Sequence, residues 1–190
     1  MTSHPRRLLR VIAAVFAAAA ILGATGCAAL PEDAPLMERL DSETGVTVSR
    51  LGKPVELYRD TFLQEAAGRF AFIAPFETNQ MGSRESFLWI AVPVTPAPGL
   101  DPVIEIDGAA ITLTVAGRDS QVANLTKSPY KIPTPWSAMY YYKIDDAMLA
   151  KLGAASKITI RVTEATKSGT AKTIFSAPIT DSRLKDFAAR

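Results

Sequence analysis

Short apolar runs broken by Gly, Pro, Asn and Asp predict a mainly β protein. The expected arrangement is a two-layer β-sandwich, with an α+β domain on an antiparallel sheet as the alternative. Two further observations agree with this class. Asp107-Gly108, a pair suited to a tight type I′ turn, separates two alternating runs. Helical signals are confined to short stretches near 62–67, 145–152 and 181–189.

In chain order, residues 45–50 and 55–58 read as strands separated by Gly52-Lys53-Pro54. Thr61 and Gln64 have capping-box spacing and Gly68 supplies a stop, which predicts a helical turn over 62–67. Residues 70–76 and 87–94 are almost wholly apolar, the pattern of strands covered on both faces. Pairing outward from Asp107-Gly108 sets Ile106 against Ala109, Ile104 against Ile111 and Pro102 against Leu113 on one face. Glu105 with Ala110 and Val103 with Thr112 take the other face, so turn and alternation specify one register. Residues 117–137 are polar, carry Pro129, Pro133 and Pro135, and read as a long loop. Residues 136–144 return as a strand. A helix follows, with Asp145 as N-cap, Leu149 placed to staple against Ile144, and Gly153 as stop. Residues 158–163 alternate as a half-exposed strand and 170–179 form another. Leu184, Phe187 and Ala188 mark a terminal helix packed on the sheet.

The first 26 residues differ in kind from the rest. They hold Arg6, Arg7 and Arg10, no acid, the single histidine His4, and an apolar run over 11–22. A cationic start, an apolar middle and small residues before a cleavage point describe an export signal. The apolar run is too short to span a bilayer, which takes about 20 residues. Without this segment the 21 Lys+Arg fall to 18 against 19 Asp+Glu, and the formal charge of +2 becomes −1. That balance removes the compositional reason to expect nucleic-acid binding. Loss of His4 excludes Ser-His-Asp and Cys-His catalysis in the mature chain, and with one cysteine it excludes zinc sites of the His or Cys type. No metal or cofactor is expected, and Cys27 alone cannot form an internal disulfide. Stability must come from the apolar core, and a domain of about 150 residues buries roughly 68–70% of its unfolded surface.

The residues Leu22-Gly23-Ala24-Thr25-Gly26-Cys27 close the apolar run. They resemble the lipobox of bacterial lipoproteins, in which small or aliphatic residues and a Gly or Ala precede an obligatory cysteine. The resemblance implies cleavage between Gly26 and Cys27 and a diacylglycerol on the Cys27 sulfur, usually with an added N-terminal acyl chain, palmitate being the expected fatty acid. Two or more chains hold a protein stably at a membrane, where one does not. Residue 28 is alanine, whereas an aspartate there would imply retention at the inner membrane. The resemblance therefore implies the periplasmic face of the outer membrane, given a Gram-negative source. The resulting organisation is a signal over 1–26, a lipidated tether over 27–37 and one β-rich domain over 38–190. Pro31, Glu32, Asp33 and Pro35 give the tether its polar, proline-marked character.

Carboxylates are the main titratable catalytic groups left. Glu105 and Asp107 share a strand face two residues apart, roughly 6–7 Å, a separation suited to a carboxylate-based hydrolase. A solvated hairpin with Asp favoured at its turn accounts for the same pair. Asp145-Asp146 reads as a helix start. Ser-x-x-Lys spacing occurs at residues 128–131 and 182–185. Pro129 and Pro133 oppose a helix at the first, and the second lies at the chain end with no Ser-Asp-Asn element. Alternation over the next aromatic cluster puts Tyr140, Tyr142 and Ile144 on one face and Met139 and Tyr141 on the other. Trp136, Tyr141 and Tyr130 of the proline-rich loop form the candidate ligand or partner surface, with core packing as the alternative.

These observations lead to an expectation of a lipid-anchored, non-enzymatic cell-envelope protein that binds a protein partner or supports an envelope assembly. A periplasmic module binding glycan, lipid or a small ligand is the alternative, and a carboxylate-based hydrolase is a second one.

Overall fold

The computed structural model describes residues 36–59, 70–131, 137–180 and 182–190. Its longest hairpin joins β4 (Phe70–Gln80) to β5 (Ser83–Val92) through Met81 and Gly82, both at positive φ, 52° and 89°. Two left-handed residues in a row make the tight turn whose twist matches paired strands. The Asn79 Oδ1 accepts the Gly82 N–H at 3.0 Å. Methionine is not a residue expected there, so nothing in the sequence marks 70–76 and 87–94 as one continuous hairpin.

Around this hairpin lie β1 (Leu36–Asp41), β2 (Val46–Leu51), β3 (Val55–Arg59), β6 (Val103–Ile106), β7 (Ala109–Ile111), β8 (Val115–Gly117), β9 (Ala138–Ile144), β10 (Lys157–Thr166) and β11 (Gly169–Pro178). Among the described residues the α-helices are α1 (Asp146–Gly153) and α2 (Arg183–Ala188). The strands form an 11-stranded antiparallel sheet in the order β7-β6-β10-β11-β3-β4-β5-β9-β8, with β2 paired to β4 and β1 to β2. The mainly β class is as the sequence predicts. Helices are observed near two of the three expected places, and the 62–67 stretch lies outside the described residues.

One edge of β4 serves two partners. Its first residues pair with β3, Val55 opposite Ile73, and its later ones with β2, Arg50 opposite Phe76. Pro75 sits at this division, where its lack of an N–H fits the gap in the ladder on that edge. Register then sorts the side chains. Leu57, Ile73, Leu88, Ile90, Tyr140 and Tyr142 point to one face, which β11 and β10 continue with Phe175, Ile158 and Ile160. The sheet curls around this face. Just beyond β5, the Ala97 N–H donates to the Thr163 carbonyl at 2.7 Å and the Ala165 N–H donates to that of Thr95 at 3.1 Å. The two layers of the domain are thus parts of one curled sheet.

The Asp107-Gly108 hairpin has the register its sequence specifies, Ile106 opposite Ala109, Glu105 opposite Ala110 and Ile104 opposite Ile111. It is shorter than expected. β7 ends at Ile111, and Pro102, which has no N–H for a ladder, lies outside β6. At the other end, Leu36 and Met37 belong to β1 and not to the tether, because they pair with Leu51 and Arg50. Within the expected loop at 117–137, the first described residues are regular in part. Gly117 closes β8, and a 3-10 turn over Ser120–Ala123 follows, capped by Asp119, whose carboxylate accepts the Gln121 N–H.

α1 begins as predicted. The Asp145 carboxylate accepts the Met148 N–H at 2.8 Å, which satisfies a free donor of the first turn. Gly153 has a different role from the expected stop. A Cβ there would stand 2.7 Å from the Ala188 Cβ and 3.3 Å from the Leu184 carbonyl oxygen, so its hydrogen lets α1 and α2 touch. Leu149, Leu152, Leu184 and Phe187 are buried on these helices.

Candidate functional site

Two of the three aromatic residues proposed from sequence as a surface are core. Tyr130 and Tyr141 are 1% and 0% exposed, and Trp136 lies outside the described residues. The alternation over β9 is as expected, but both faces are covered, so neither ring is presented to a ligand. Tyr141 packs edge-on against Phe76 and its hydroxyl donates to the Ser128 hydroxyl. Burial raises the Tyr141 pKa, and Ser128 and the nearby Trp89 indole partly offset the rise; the indole N–H itself makes no well-formed hydrogen bond.

Tyr130 shows what holds the described residues after β8, 118–131, against the sheet. Its ring lies against Trp89, centroids 5.1 Å apart, and the Arg50 guanidinium stands 5.4 Å from its centre. The Leu51 N–H donates to its hydroxyl at 3.2 Å, and the hydroxyl donates to the Pro75 carbonyl at 2.5 Å. Leu51 would be the next residue opposite Pro75 if the pairing of β2 with β4 continued. The hydroxyl therefore fills the place where the ladder opens. Burial pushes its pKa well up, against the lowering effects of the Leu51 N–H and Arg50, and keeps the proton that Pro75 needs. Further along, the Asp41 carboxylate accepts from the Thr126 N–H at 2.9 Å and hydroxyl at 2.8 Å. These bonds, the backbone one first, hold the Asp41 pKa below the ordinary aspartate value.

The carboxylates singled out at the hairpin are engaged in structure. Glu105 takes a two-point ion pair from Arg161, at 2.6 and 2.9 Å, which lowers the Glu105 pKa and raises that of Arg161. Asp107 accepts the backbone N–H groups of Ser156 and Lys157 at 3.0 and 2.8 Å, and so ties the turn to the start of β10. The two carboxylates are thus held by different partners.

Two concavities among the described residues bear on function. The larger, about 590 Å³, lies between the ends of β4, β5 and β9 and the two helices. Ile144, Leu149 and Phe187 give it an apolar floor. Its rim carries the pairs Glu77 with Arg84 and Glu85 with Lys143, and Asp146 from the first turn of α1. Arg190, also on this rim, reaches Glu38 on β1 at 2.7 Å; that hydrogen bond and one from Ser49 lower the Glu38 pKa. Acids and bases along the rim are balanced, which suits a neutral or zwitterionic ligand, or a partner loop with both signs of charge, better than a polyanion. This cleft carries no signal in the sequence, because its residues come from five separate elements. The smaller groove, about 380 Å³, lies at the turn between β2 and β3.

Among the described residues no group of three or more His, Cys, Asp or Glu side chains is placed to hold a metal, and no helix is long and apolar enough to cross a membrane. Gly26 and Cys27 lie outside the described residues. Comparison with family models, with curated proteins and with solved structures gives no match.

Proposed function

We propose that the chain is a lipid-anchored, non-enzymatic protein of the cell envelope, held by acyl chains on Cys27, whose β domain binds a protein partner. The observation that carries this reading is the lipobox-like stretch ending at Gly26-Cys27, placed directly after a short apolar run. Two features support the non-enzymatic part. The mature chain has no histidine, and Glu105 and Asp107 are committed to Arg161 and to backbone N–H groups. For a Gram-negative source the proposed address is the periplasmic face of the outer membrane. Cys27→Ser is expected to move the protein from the membrane pellet to the soluble periplasm, and unchanged pelleting would overturn the anchor. Crosslinking in intact cells followed by purification of the acylated protein is expected to yield one reproducible protein partner.

The 590 Å³ cleft favours a second reading, a module for a small ligand. Its residues replace the buried Tyr130 and Tyr141 as the place to test. Co-purification of a glycan or lipid in the same experiment, with no protein, would select this reading.

A further inference from the structure

We propose that the cleft between the strand ends and the two helices takes an ammonium group carried on an apolar body, with the charge at Asp146 and the body on Ile144, Leu149 and Phe187. The inference deepens the small-ligand reading of this cleft and rests on it; it is independent of the lipid anchor.

Pairing, rather than the count of charges, singles out Asp146. Glu77 stands 3.8 Å from Arg84, and Glu85 is tied to Lys143. Arg190 is held at 2.7 Å by Glu38, which lies on β1 outside the lining. Every base of the rim thus faces an acid of its own. The Asp146 side chain is the acid of the rim without an ion pair or hydrogen bond among the described residues. A cation brought to this rim meets an uncommitted carboxylate, whereas an anion meets only bases that are already neutralised.

The start of α1 explains why Asp146 is uncommitted. Capping is done by Asp145, whose carboxylate accepts the Met148 N–H at 2.8 Å. Asp146 follows in the first turn, where the helix dipole favours a negative side chain without requiring a bond from it. Leu149 comes three residues later, so the two side chains are neighbours on one side of the helix, about 5–6 Å apart at Cβ. Both line the cleft. A carboxylate beside an apolar floor can hold an ammonium group and the body that carries it together. The floor is ready-made, because Ile144, Leu149 and Phe187 belong to the buried core and need no rearrangement. A volume of about 590 Å³ lies in the range of small-ligand sites.

The test compares three probes with one apolar body: 4-phenylbutylamine, the neutral 4-phenylbutanol and the anionic 4-phenylbutyrate. Binding to the full-length Cys27→Ser chain, which has no acyl chain to take up the probes, is followed through the methyl NMR signals of Ile144 and Leu149. The amine is expected to bind roughly two- to fivefold more tightly than the alcohol, the range of an exposed ion pair, and the carboxylate most weakly. Added salt should narrow the difference. Asp146→Asn should bring the amine to the level of the alcohol and leave the alcohol unchanged, Asp146→Glu should keep the lead of the amine, and Asp146→Lys should put the carboxylate first. Probes are ranked within each chain, so a loss of helix stability moves all three alike and does not imitate the result. Equal binding of amine and alcohol, or a lead that survives Asp146→Asn, would overturn the assignment of the ammonium to Asp146. Methyl shifts with the alcohol would in that case leave the small-ligand reading standing, whereas no shift with any probe would remove both.

Discussion

Tyr130→Phe removes one oxygen from the place where β2 and β3 part along β4. The ring keeps its contacts with Trp89 and Arg50, so the loss is confined to two hydrogen bonds. Both backbone groups left behind, the Leu51 N–H and the Pro75 carbonyl, are buried. A buried polar group without a partner costs about 1–3 kcal/mol, and partial closure of the gap recovers some of it, so the expected loss is about 2–4 kcal/mol. Tyr142→Phe is the control. Its hydroxyl is buried with no partner, and burial pushes its pKa well up. Removing it is expected to leave stability within about 0.5 kcal/mol or to raise it by up to about 1 kcal/mol. Urea unfolding followed by tryptophan fluorescence measures both, with the midpoint moving at constant m. The same loss in both variants, or less than about 0.5 kcal/mol in Tyr130→Phe, would refute the bridging role of the Tyr130 hydroxyl.

Two further outcomes follow from the same contacts. Gly153→Ala places a methyl 2.7 Å from the Ala188 Cβ and is expected to cost about 1–3 kcal/mol by prising α1 from α2; Ala188→Gly in the same chain should restore most of the urea midpoint. Asp41, Glu38 and Glu105 all have folded pKa values below the ordinary carboxylate range, first because of hydrogen bonds from Thr126, Arg190 and Arg161 respectively. A lowered folded pKa gives stability that is present above the unfolded value, near 4, and is lost as pH falls through the folded one. The urea midpoint should therefore be flat from about pH 6 to 7 and fall below about pH 4, and Asp41→Asn should make that fall shallower; an unchanged slope would show that the Thr126 latch carries none of it.

What the sequence made legible is what local chemistry decides. Asp107-Gly108 fixed a register because both turn residues accept positive φ and the flanking alternation permits a single pairing. Asp145 announced α1 because a short acid before an apolar repeat is an N-cap. The start of β1 is not legible in the sequence, since Leu36 and Met37 gain their strand pairing only from β2. Met81 concealed the central hairpin, because a non-glycine residue in the left-handed region carries no sequence mark. The larger cleft was invisible for a related reason, as Glu77, Lys143, Leu149 and Arg190 meet only after the sheet has curled.

The aromatic residues show how periodicity alone leaves function open. Alternation correctly divides Tyr140 and Tyr142 from Tyr141, but it states only that they face opposite ways. Exposure of either face depends on what crosses it, and here the long polar segment after β8 does. Ala123, Leu125 and Tyr130 are buried in its described part, and the Tyr130 hydroxyl completes a ladder that Pro75 leaves open. The described part of this segment, which reads as a recognition loop, is thereby a structural cover. Substitutions within it should register in stability before they register in binding. The search for a partner accordingly moves to the helix-lined cleft, where apolar floor and paired charges remain accessible.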